Sequence, residues 1–404
     1  MRIASSTAVV AGHICLDIIP AISHRGGFEQ AFAPGRLLEV GEAALATGGA
    51  VSNTGLALHK LGVQTRLMGK VGDDIFGGAI LDILRGFDPE LVDRMIVSPG
   101  ESSSYTVVVS PPQVDRIFLH FPGANDTFGA SDIHIPDLDG VNVFHFGYPP
   151  LMRRMYMDHG AELAAILRTV KERSITTSLD TARPDPQSDA GHADWRAILR
   201  NALPYVDVFL PSFEEIVFML DRDRFEALKL AAGTGDVTAL ADGRLLGELA
   251  DQLLAWGAAV VGIKLGDQGL YLRTAASLRR KGGMGSGFPD DVAAWEGREL
   301  LAPCFLVEMV GTTGAGDSTV AGFLAALIQG MAPEDALTHA VAVGACNVEA
   351  ADATSGVQSW DAVAERMNAG WRRRPVTLSL TGWDWNAQRA VWIGPNDRRR
   401  NVEG

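Results

Sequence analysis

The sequence predicts an α/β fold in which a mainly parallel β-sheet carries helices on both faces. Short apolar segments alternate with segments of helical periodicity over most of the 404 residues, and this alternation is typical of such a sheet. Apolar residues make up 47% of the chain and charged residues 21%, a balance that is typical of a well-packed enzyme. The 45 glycines exceed what helices and strands usually accept, so we expect many tight turns and ligand-facing loops.

Seven apolar segments have the length and composition of strands, and three amphipathic segments between them have the spacing of helices. Two further segments, 22–42 and 103–121, lack helical periodicity, and the second alternates like a hairpin around PPQVD. We therefore expect a small β-layer that projects from the main sheet as a lid, with lid segments at about 13–47 and 100–123. The predicted strands are 8–12, 65–72, 141–147, 175–180, 206–212, 259–266 and 270–273, and the predicted helices are 53–62, 76–84 and 159–174.

Charge and composition also exclude several classes of protein. A net charge of −14 argues against nucleic acid or a membrane surface as the main partner. No segment approaches the roughly 20 uninterrupted apolar residues of a membrane span. Cys15, Cys304 and Cys346 lack metal-ligand spacing and cannot all pair, which favours a reducing compartment. We therefore expect a soluble, cytoplasmic protein.

The C-terminal residues 373–404 are predicted to form an extension beyond a domain of residues 1–372. The extension and its boundary contain WRRRP, three tryptophans and a run of three arginines. An appended strand pair and an interaction arm both fit this composition, and the sequence leaves its role open. Because the whole chain is acidic, the basic clusters are expected to be solvated charge rather than a nucleic-acid site.

The segment GTTGAGDS, residues 311–318, resembles a phosphate-binding loop but has Asp317 where that loop has lysine. A strand-like run precedes it and an amphipathic helix follows. This context places the amides of Gly314, Ala315 and Gly316 at a helix N-terminus, where free N–H groups attract anions. A structural turn with Asp317 as the helix cap is the alternative, and a dinucleotide-binding fingerprint fits the glycine spacing less well.

A carboxylate in this cradle suits phosphoryl transfer to an alcohol. Such a reaction needs N–H groups or cations around the phosphate, and separately a carboxylate beside the attacking hydroxyl. Asp317 would accept the hydroxyl proton while the neighbouring amides stabilise the developing charge.

Five motifs resemble those of the ribokinase-like (PfkB) carbohydrate kinases, and they occur in the order of that family over about residues 8–360. VGTTGAGDSTVAGF resembles the C-terminal family signature, and GGAVSNTGLALHKLG (48–62) resembles the N-terminal one. VGDDIFG (71–77), KLGDQGLYL (264–272) and PGAN (122–125) are similar to three further family segments. The resemblance implies a ribokinase-like three-layer αβα sandwich with a small β-sheet lid.

The resemblance also implies where the sugar binds. Asp17 in GHICLDI matches the sugar-binding aspartate of the family, and Gly48, Gly49 and Asn53 match the second wall of the sugar site. Glycines let a backbone approach a ligand closely, and an asparagine can both donate to and accept from a diol. Asp17 could instead be a strand-end or turn residue, and Asn53 could be only a helix N-cap.

For the nucleotide, the resemblance implies ATP bound between the loop 264–271 and the segment 341–356, with Mg²⁺ close by. The cofactor-binding residues implied are Lys264, Gly266, Gly269 and Thr312. These contacts are expected to be largely backbone and apolar.

Two departures from the family pattern concern the metal and phosphate side. In PSFEE, Ser212 replaces the asparagine of the family N-x-x-E motif, and Glu215 remains as the expected outer-sphere Mg²⁺ ligand. DTARP loosely resembles a DxNxRP segment of some members, which implies Asp180 and Arg183 near the phosphate or sugar. A salt bridge at a strand end explains Arg183 equally well.

The sequence therefore predicts an ATP-dependent kinase that phosphorylates a hydroxyl of a sugar or sugar-like small molecule, with Asp317 as general base. A nucleoside kinase of the same fold is one alternative, and Phe118, Phe121 and Phe128 leave an aromatic base slot open. A non-catalytic sugar-sensing relative is the other alternative. A homodimer through the lid is also expected, because exposed β-strands have edges that invite pairing.

Overall fold

The computed structural model describes residues 6–22, 34–35, 37–110, 117–279 and 283–400. Sixteen strands lie in these residues. In chain order they are β1 (Thr7–Gly12), β2 (Cys15–Pro20), β3 (Ala43–Gly48), β4 (Gln64–Met68), β5 (Lys70–Gly72), β6 (Ile96–Ser98), β7 (Tyr105–Val109), β8 (Ile117–Phe121), β9 (Val141–Gly147), β10 (Thr176–Leu179), β11 (Val208–Phe209), β12 (Val260–Lys264), β13 (Leu270–Thr274), β14 (Glu299–Ala302), β15 (Asp384–Asn386) and β16 (Val391–Ile393).

The same residues form twelve α-helices, and none of these is long and apolar enough to cross a bilayer. In chain order they are α1 (Ala50–Lys60), α2 (Ile75–Phe87), α3 (Arg153–Tyr156), α4 (Ala161–Lys171), α5 (Asp189–His192), α6 (Trp195–Ala202), α7 (Phe213–Leu220), α8 (Arg222–Ala232), α9 (Gly243–Ala255), α10 (Ala315–Ile328), α11 (Pro333–Asn347) and α12 (Trp360–Asn368).

Ten strands form the main sheet in the order β15-β16-β14-β13-β12-β11-β10-β9-β1-β4. The strands from β4 to β12 pair in parallel, and the strands from β12 to β15 pair antiparallel. The predicted parallel sheet is therefore confirmed for six of its strands. The predicted strand 65–72 is divided at Gly69, and its second half, β5, pairs with β6 in a separate two-stranded sheet.

The main sheet is buried on both faces, as an αβα sandwich requires. All six residues of β1 are buried. Successive residues point to opposite faces of a strand, so Val10 packs in one apolar core and Val9 in the other. The first core contains α1, α2, α10 and α11, and the second contains α4, α6, α7 and α9.

A second sheet of four strands, in the order β3-β2-β7-β8, forms the predicted small β-layer. The strands β7 and β8 pair antiparallel, which confirms the strand pairing of the hairpin predicted in 103–121. The turn of that hairpin, around PPQVD, lies outside the described residues. The other predicted segment, 22–42, lies between two strands of this sheet, because β2 ends at Pro20 and β3 begins at Ala43. Residues 23–33 and 36 of that segment lie outside the described residues, and 37–42 form no strand.

The C-terminal extension continues the main sheet. The strands β15 and β16 pair with each other, and β16 also pairs with β14, so residues 384–393 form an appended strand pair. A buried arginine, Arg298, ties the extension to the domain: its Nε donates to the Asp397 Oδ2 at 3.0 Å, and its Nη2 donates to the Glu334 Oε1 at 2.5 Å. The same Asp397 oxygen accepts from the Glu299 backbone N–H at 2.9 Å.

We expect Asp397→Ala to lower the free energy of unfolding by about 1.5–3 kcal/mol, because it removes one hydrogen-bonded charge partner of Arg298 while Glu334 remains. Arg298 is only 2% exposed and cannot regain the lost interaction from water. The midpoint of urea denaturation measures the change.

Asp384→Ala is the matched control in the same extension. Its partner Arg400 lies 2.7 Å away, but the two side chains are 63% and 28% exposed, so the expected loss is about 0–1 kcal/mol. Equal shifts of the two midpoints would show that the Arg298–Asp397 pair does not hold the extension in place.

Candidate active site

The candidate site lies at the carboxyl ends of the parallel strands. Tyr148 follows β9, Asp180 follows β10, and Lys264 is the last residue of β12. In open α/β sheets, ligands bind outside this edge, where the loops that follow neighbouring strands meet. The N-terminus of α10, which contains Asp317, reaches the same edge.

The glycine cradle has the geometry that its sequence predicts. Gly314 precedes α10 with φ 71°, a left-handed conformation that favours glycine. An added Cβ would also lie 2.3 Å from the Ala353 carbonyl oxygen, so no larger residue fits. The helix therefore begins at Ala315, and the free backbone N–H groups of its first turn line the cradle.

Asp317 is 3% exposed, and side chains from other elements hold its carboxylate. The Asn53 Nδ2 donates to its Oδ2 at 2.9 Å, and the Tyr148 hydroxyl lies 2.8 Å from both oxygens. The Thr54 hydroxyl lies 3.4 Å from Oδ1. Burial raises the pKa of Asp317, although these hydrogen bonds and Lys264 oppose the rise. The alternative in which Asp317 only caps its helix is therefore wrong.

Asn53 is likewise not a helix cap. It is buried inside α1, whose N-cap is Gly49, and its Oδ1 accepts no hydrogen bond from the described residues. A buried amide oxygen without a donor is costly, so a ligand hydroxyl at this position would be stabilised. Asn53 and Asp317 thus form one surface, although 264 residues separate them in the chain.

Gly48 and Gly49 lie directly against neighbouring side chains rather than against an open cavity. An added Cβ on Gly48 would lie 2.4 Å from the Asp17 Oδ2. On Gly49, with φ 89°, it would lie 2.5 Å from the His13 Nδ1. The two glycines therefore let Asp17 and His13 pack against the start of α1.

Asp17 lies in the middle of β2, so the alternative of a strand-end or turn residue is wrong. Its Oδ1 lies 3.4 Å from the Cys15 Sγ. Burial raises the pKa of Asp17 to about 6, although hydrogen bonds from Cys15 and Thr106 oppose the rise. Thr106 is the cross-strand neighbour of Asp17 on β7.

Lys264 supplies the cation that the cradle sequence lacks. Its Nζ donates to the Asp180 Oδ1 at 2.7 Å and would lie 3.7 Å from a Cβ added to Gly316. Burial alone lowers the pKa of Lys264, but the carboxylates of Asp180, Glu215 and Asp317 raise it overall. The ammonium is therefore charged and lies next to the cradle.

A family model described as pfkB family carbohydrate kinase matches residues 7–360. The chain belongs to this family. A 2-dehydro-3-deoxygluconokinase of Bacillus subtilis is 26% identical over 83% of this chain and 90% of its own length. A probable fructokinase-4 of Arabidopsis thaliana is 25% identical over 80% of this chain and 82% of its own length.

Solved structures confirm the ribokinase-like fold of this pfkB-family kinase. An Arabidopsis thaliana ribokinase complexed with ribose and ATP superposes with a TM-score of 0.66 and 17% identity, covering 89% of this chain and 98% of its own. A fructokinase of Xylella fastidiosa with bound ATP gives 0.64 and 18%, covering 90% and 99%.

In this pfkB-family kinase, a cavity of about 490 Å³ adjoins the cradle. Three of the residues predicted to bind the nucleotide, Lys264, Gly266 and Thr312, line this cavity. Ala315 and Gly316 line it on the cradle side, and α11 contributes an apolar wall that consists of Val341, Gly344 and Ala345.

Gly269 is the fourth of the predicted nucleotide-binding residues, and it is not among the residues that line the cavity. Its φ is 114°, and an added Cβ would lie 2.0 Å from the Ala302 carbonyl oxygen on the neighbouring strand β14. Glycine is therefore required for the turn before β13, and a role of Gly269 in nucleotide binding stays a prediction.

Glu215 lies beside the Lys264–Asp180 pair. Its Oε2 accepts from the Ser212 backbone N–H and from the Thr181 hydroxyl, each at 2.8 Å, and this bond with Ser212 closes the capping box of α7. The Asp180 Oδ2 is buried and has no hydrogen-bond partner among the described residues. Two carboxylates therefore present oxygen atoms to the same space, a donor set that suits Mg²⁺.

Arg183 turns away from this space. Its Nη1 pairs with the Glu214 Oε2 at 2.8 Å, and its side chain is 49% exposed. The structure thus supports the salt-bridge alternative for Arg183.

Of the three phenylalanines that could form an aromatic slot for a nucleoside base, Phe128 is taken up by a hydrophobic core. Phe128 is fully buried and packs against Phe146 in a core, 6.1 Å between ring centroids. Phe118 and Phe121 lie on the exposed strand β8.

Sequence reasoning missed Tyr148, Thr54 and His13. One signal could have found Tyr148: it directly follows the predicted strand 141–147, and functional residues cluster at the carboxyl ends of such strands. His13 follows β1 in the same way. No pattern in the sequence marks Thr54.

Proposed function

We propose that this protein transfers the terminal phosphoryl group of ATP to a hydroxyl of a sugar or sugar-like molecule. The observation that carries the proposal is the buried Asp317 carboxylate at the start of α10, held by Asn53 and flanked by the charged Lys264. A base for an alcohol and a cation for a phosphate thus lie side by side, as phosphoryl transfer requires.

Asp317 acts as the general base in this proposal. It takes the proton of the acceptor hydroxyl as that oxygen bonds to phosphorus, and ADP leaves from the opposite side. The Asn53 Nδ2 holds the carboxylate in place at 2.9 Å, and the free Asn53 Oδ1 is available to accept from a second acceptor hydroxyl. Asp17 on β2 is proposed to accept from a further hydroxyl.

The cradle and Lys264 stabilise the negative charge on the transferred group. The amides at the start of α10 point out of the helix and carry its positive dipole end. The Lys264 Nζ adds a full charge close to Gly316. Fixed donors of this kind commonly contribute about 2.7–4 kcal/mol each to transition-state stabilisation.

Glu215 and Asp180 would hold the Mg²⁺ that accompanies the nucleotide. The fit rests on the buried, unpartnered Asp180 Oδ2 and on the all-oxygen character of the two carboxylates. A bound magnesium ion supplies charge neutralisation of the phosphates. Lys264 would then be shared between Asp180 and the phosphate.

A screen of ATP consumption tests the proposal against its alternatives. D-fructose, D-ribose, 2-dehydro-3-deoxy-D-gluconate, adenosine and inosine are offered in turn, and ADP is measured with a coupled assay. A sugar that accelerates ADP formation supports the proposal. Turnover of nucleosides alone would favour the nucleoside kinase, and sugar binding without turnover would favour the sugar-sensing relative.

Asp317→Asn should keep the fold and ATP binding but lower turnover of the best acceptor by about 10²–10⁴-fold, because it removes the general base and preserves the shape. Turnover is measured by ADP release and ATP binding by calorimetry. The control is Asp361→Asn, a change at an exposed residue in the first turn of α12. A loss of only a few-fold in Asp317→Asn would remove Asp317 from the role of base.

Acceptor binding should weaken as pH falls below about 6. Burial raises the pKa of Asp17 to about 6, so its carboxylate is present above that pH and protonated below it. Among the groups that face Asp17, burial lowers the pKa of His13 and of His120 and raises the pKa of the Cys15 thiol. The expected loss of affinity is about tenfold per pH unit.

The measurement is acceptor binding by calorimetry from pH 5 to 8 in the Asp317→Asn variant, where turnover and the titration of Asp317 do not interfere. The double variant Asp17→Asn with Asp317→Asn should bind weakly at every pH. If the double variant retains the same pH dependence, Asp17 is not the group that binds the acceptor.

The proposal extends to the four-stranded sheet as a lid, with segments at about 13–47 and 100–123, that pairs with the lid of a second copy. The support is the edge strand β8, which exposes Ile117, Leu119 and Phe121 by 37%, 57% and 41%. Exposed apolar edge strands favour pairing with another chain.

Light scattering after size exclusion is expected to show a dimer for the wild type and a monomer for Leu119→Asp. Leu230→Asp on α8 is the matched control, since Leu230 is 86% exposed but lies outside the lid. A wild type that is monomeric at micromolar concentration, or a Leu119→Asp variant that stays dimeric, would contradict this arrangement.

A further inference from the structure

Tyr148 is hydrogen-bonded to the carboxylate of Asp317, the proposed general base, in an unusual geometry. Its hydroxyl lies 2.8 Å from the Oδ1 and 2.8 Å from the Oδ2 of Asp317. A phenol has a single proton to donate, so this proton is shared between the two carboxylate oxygens. Donation to an ionised acceptor is among the strong hydrogen bonds of proteins.

The backbone fixes Tyr148 in this position. It directly follows the buried strand β9 and has φ 63° and ψ 46°, a left-handed conformation that non-glycine residues rarely adopt. Two prolines follow, and Pro149 and Pro150 are both buried. A strained conformation at a strand end persists only where its surroundings enforce it, and such positions cluster at functional sites.

The other groups around Asp317 do not duplicate this bond. From α1, Asn53 donates to Oδ2 alone, and Thr54 lies at the longer distance of 3.4 Å. Lys264 from β12 acts through its charge, while its Nζ is bonded to Asp180. Glu215 from α7 is a like charge that opposes ionisation of Asp317. Tyr148 is therefore the neutral donor that contacts both oxygens.

We propose that Tyr148 is a positioning residue that sets the orientation and the basicity of the Asp317 carboxylate. This inference rests on the proposed role of Asp317 as general base. By donating to both oxygens, Tyr148 stabilises the ionised form of a buried acid that would otherwise hold its proton. Asp317 is then ready to accept the hydroxyl proton at neutral pH.

Tyr148→Phe tests the inference, because it keeps the ring and removes only the hydroxyl. A lost hydrogen bond to a charged group destabilises the carboxylate, so the acid limb of the kcat profile should move to higher pH by about one to two units. The variant should therefore lose more activity at pH 6 than at pH 9. The KM for ATP should stay within about twofold of the wild type.

Tyr156→Phe on α3 is the matched control, since Tyr156 makes no hydrogen bond to Asp317 and burial raises the pKa of its phenol above the ordinary value. Its pH profile should coincide with that of the wild type. Thermal unfolding and ATP binding are measured for both variants, so that a folding defect is recognised as such.

Three outcomes are distinguishable when Asp317→Asn is assayed in parallel. If Asp317→Asn is nearly inactive and Tyr148→Phe shows the shifted acid limb, the inference holds. If Tyr148→Phe loses activity equally at every pH, or none at all, the inference fails while the base assignment stands. If Asp317→Asn is as active as the wild type, the proposed function itself fails.

Discussion

One ammonium group among three carboxylates is the constraint on which the site depends. Lys264 lies 2.7 Å from Asp180, and the charges of Glu215 and Asp317 also act on it. Buried like charges repel strongly and are tolerated only when counter-charges or donors compensate them. Here one lysine faces three carboxylates, and this imbalance is the basis of the proposed magnesium site. The same lysine compensates for the lysine that is missing from the cradle sequence. Its ammonium lies next to Gly316, although Lys264 belongs to β12.

Parallel strand order makes this convergence possible. Asn53 and Asp317 are 264 residues apart, and Lys264 and Asp180 are 84 residues apart, yet each pair is in hydrogen-bond contact. Right-handed parallel connections place the carboxyl ends of all the connected strands at the same edge of the sheet. Residues that follow different strands therefore meet at that edge. The left-handed Gly314 then allows α10 to begin against the Ala353 backbone, which fixes the first turn of the helix at that edge.

Local sequence motifs predict candidate residues that lie at a turn or near the start of a helix. They do not predict contacts that depend on the order of the strands in the sheet. Asp317 is predicted by its place in the glycine cradle, and Asn53 by the resemblance of residues 48–62 to a family signature. The strands β1 and β9 are predicted because buried parallel strands are largely apolar runs. The sequence could not reveal that Tyr148 reaches Asp317, since that contact joins elements 169 residues apart. For Gly269 the sequence could not reveal the close approach to the Ala302 backbone, because a glycine that permits strand pairing and a glycine that faces a ligand look alike in a sequence.

The charge of the protein makes nucleotide binding depend on local rather than overall electrostatics. The chain has a net charge of −14, so its long-range field repels a polyphosphate. Arg374 also lines the cavity beside the cradle, but it pairs with Asp267 at 2.6 Å and both are about half exposed, so its charge is largely screened. Lys264 and the start of α10 act within a few ångströms in a buried site, where screening by salt is weak. In the proposed function, the nucleotide would therefore be bound by attraction over short distances together with neutralisation of its phosphates by a divalent cation.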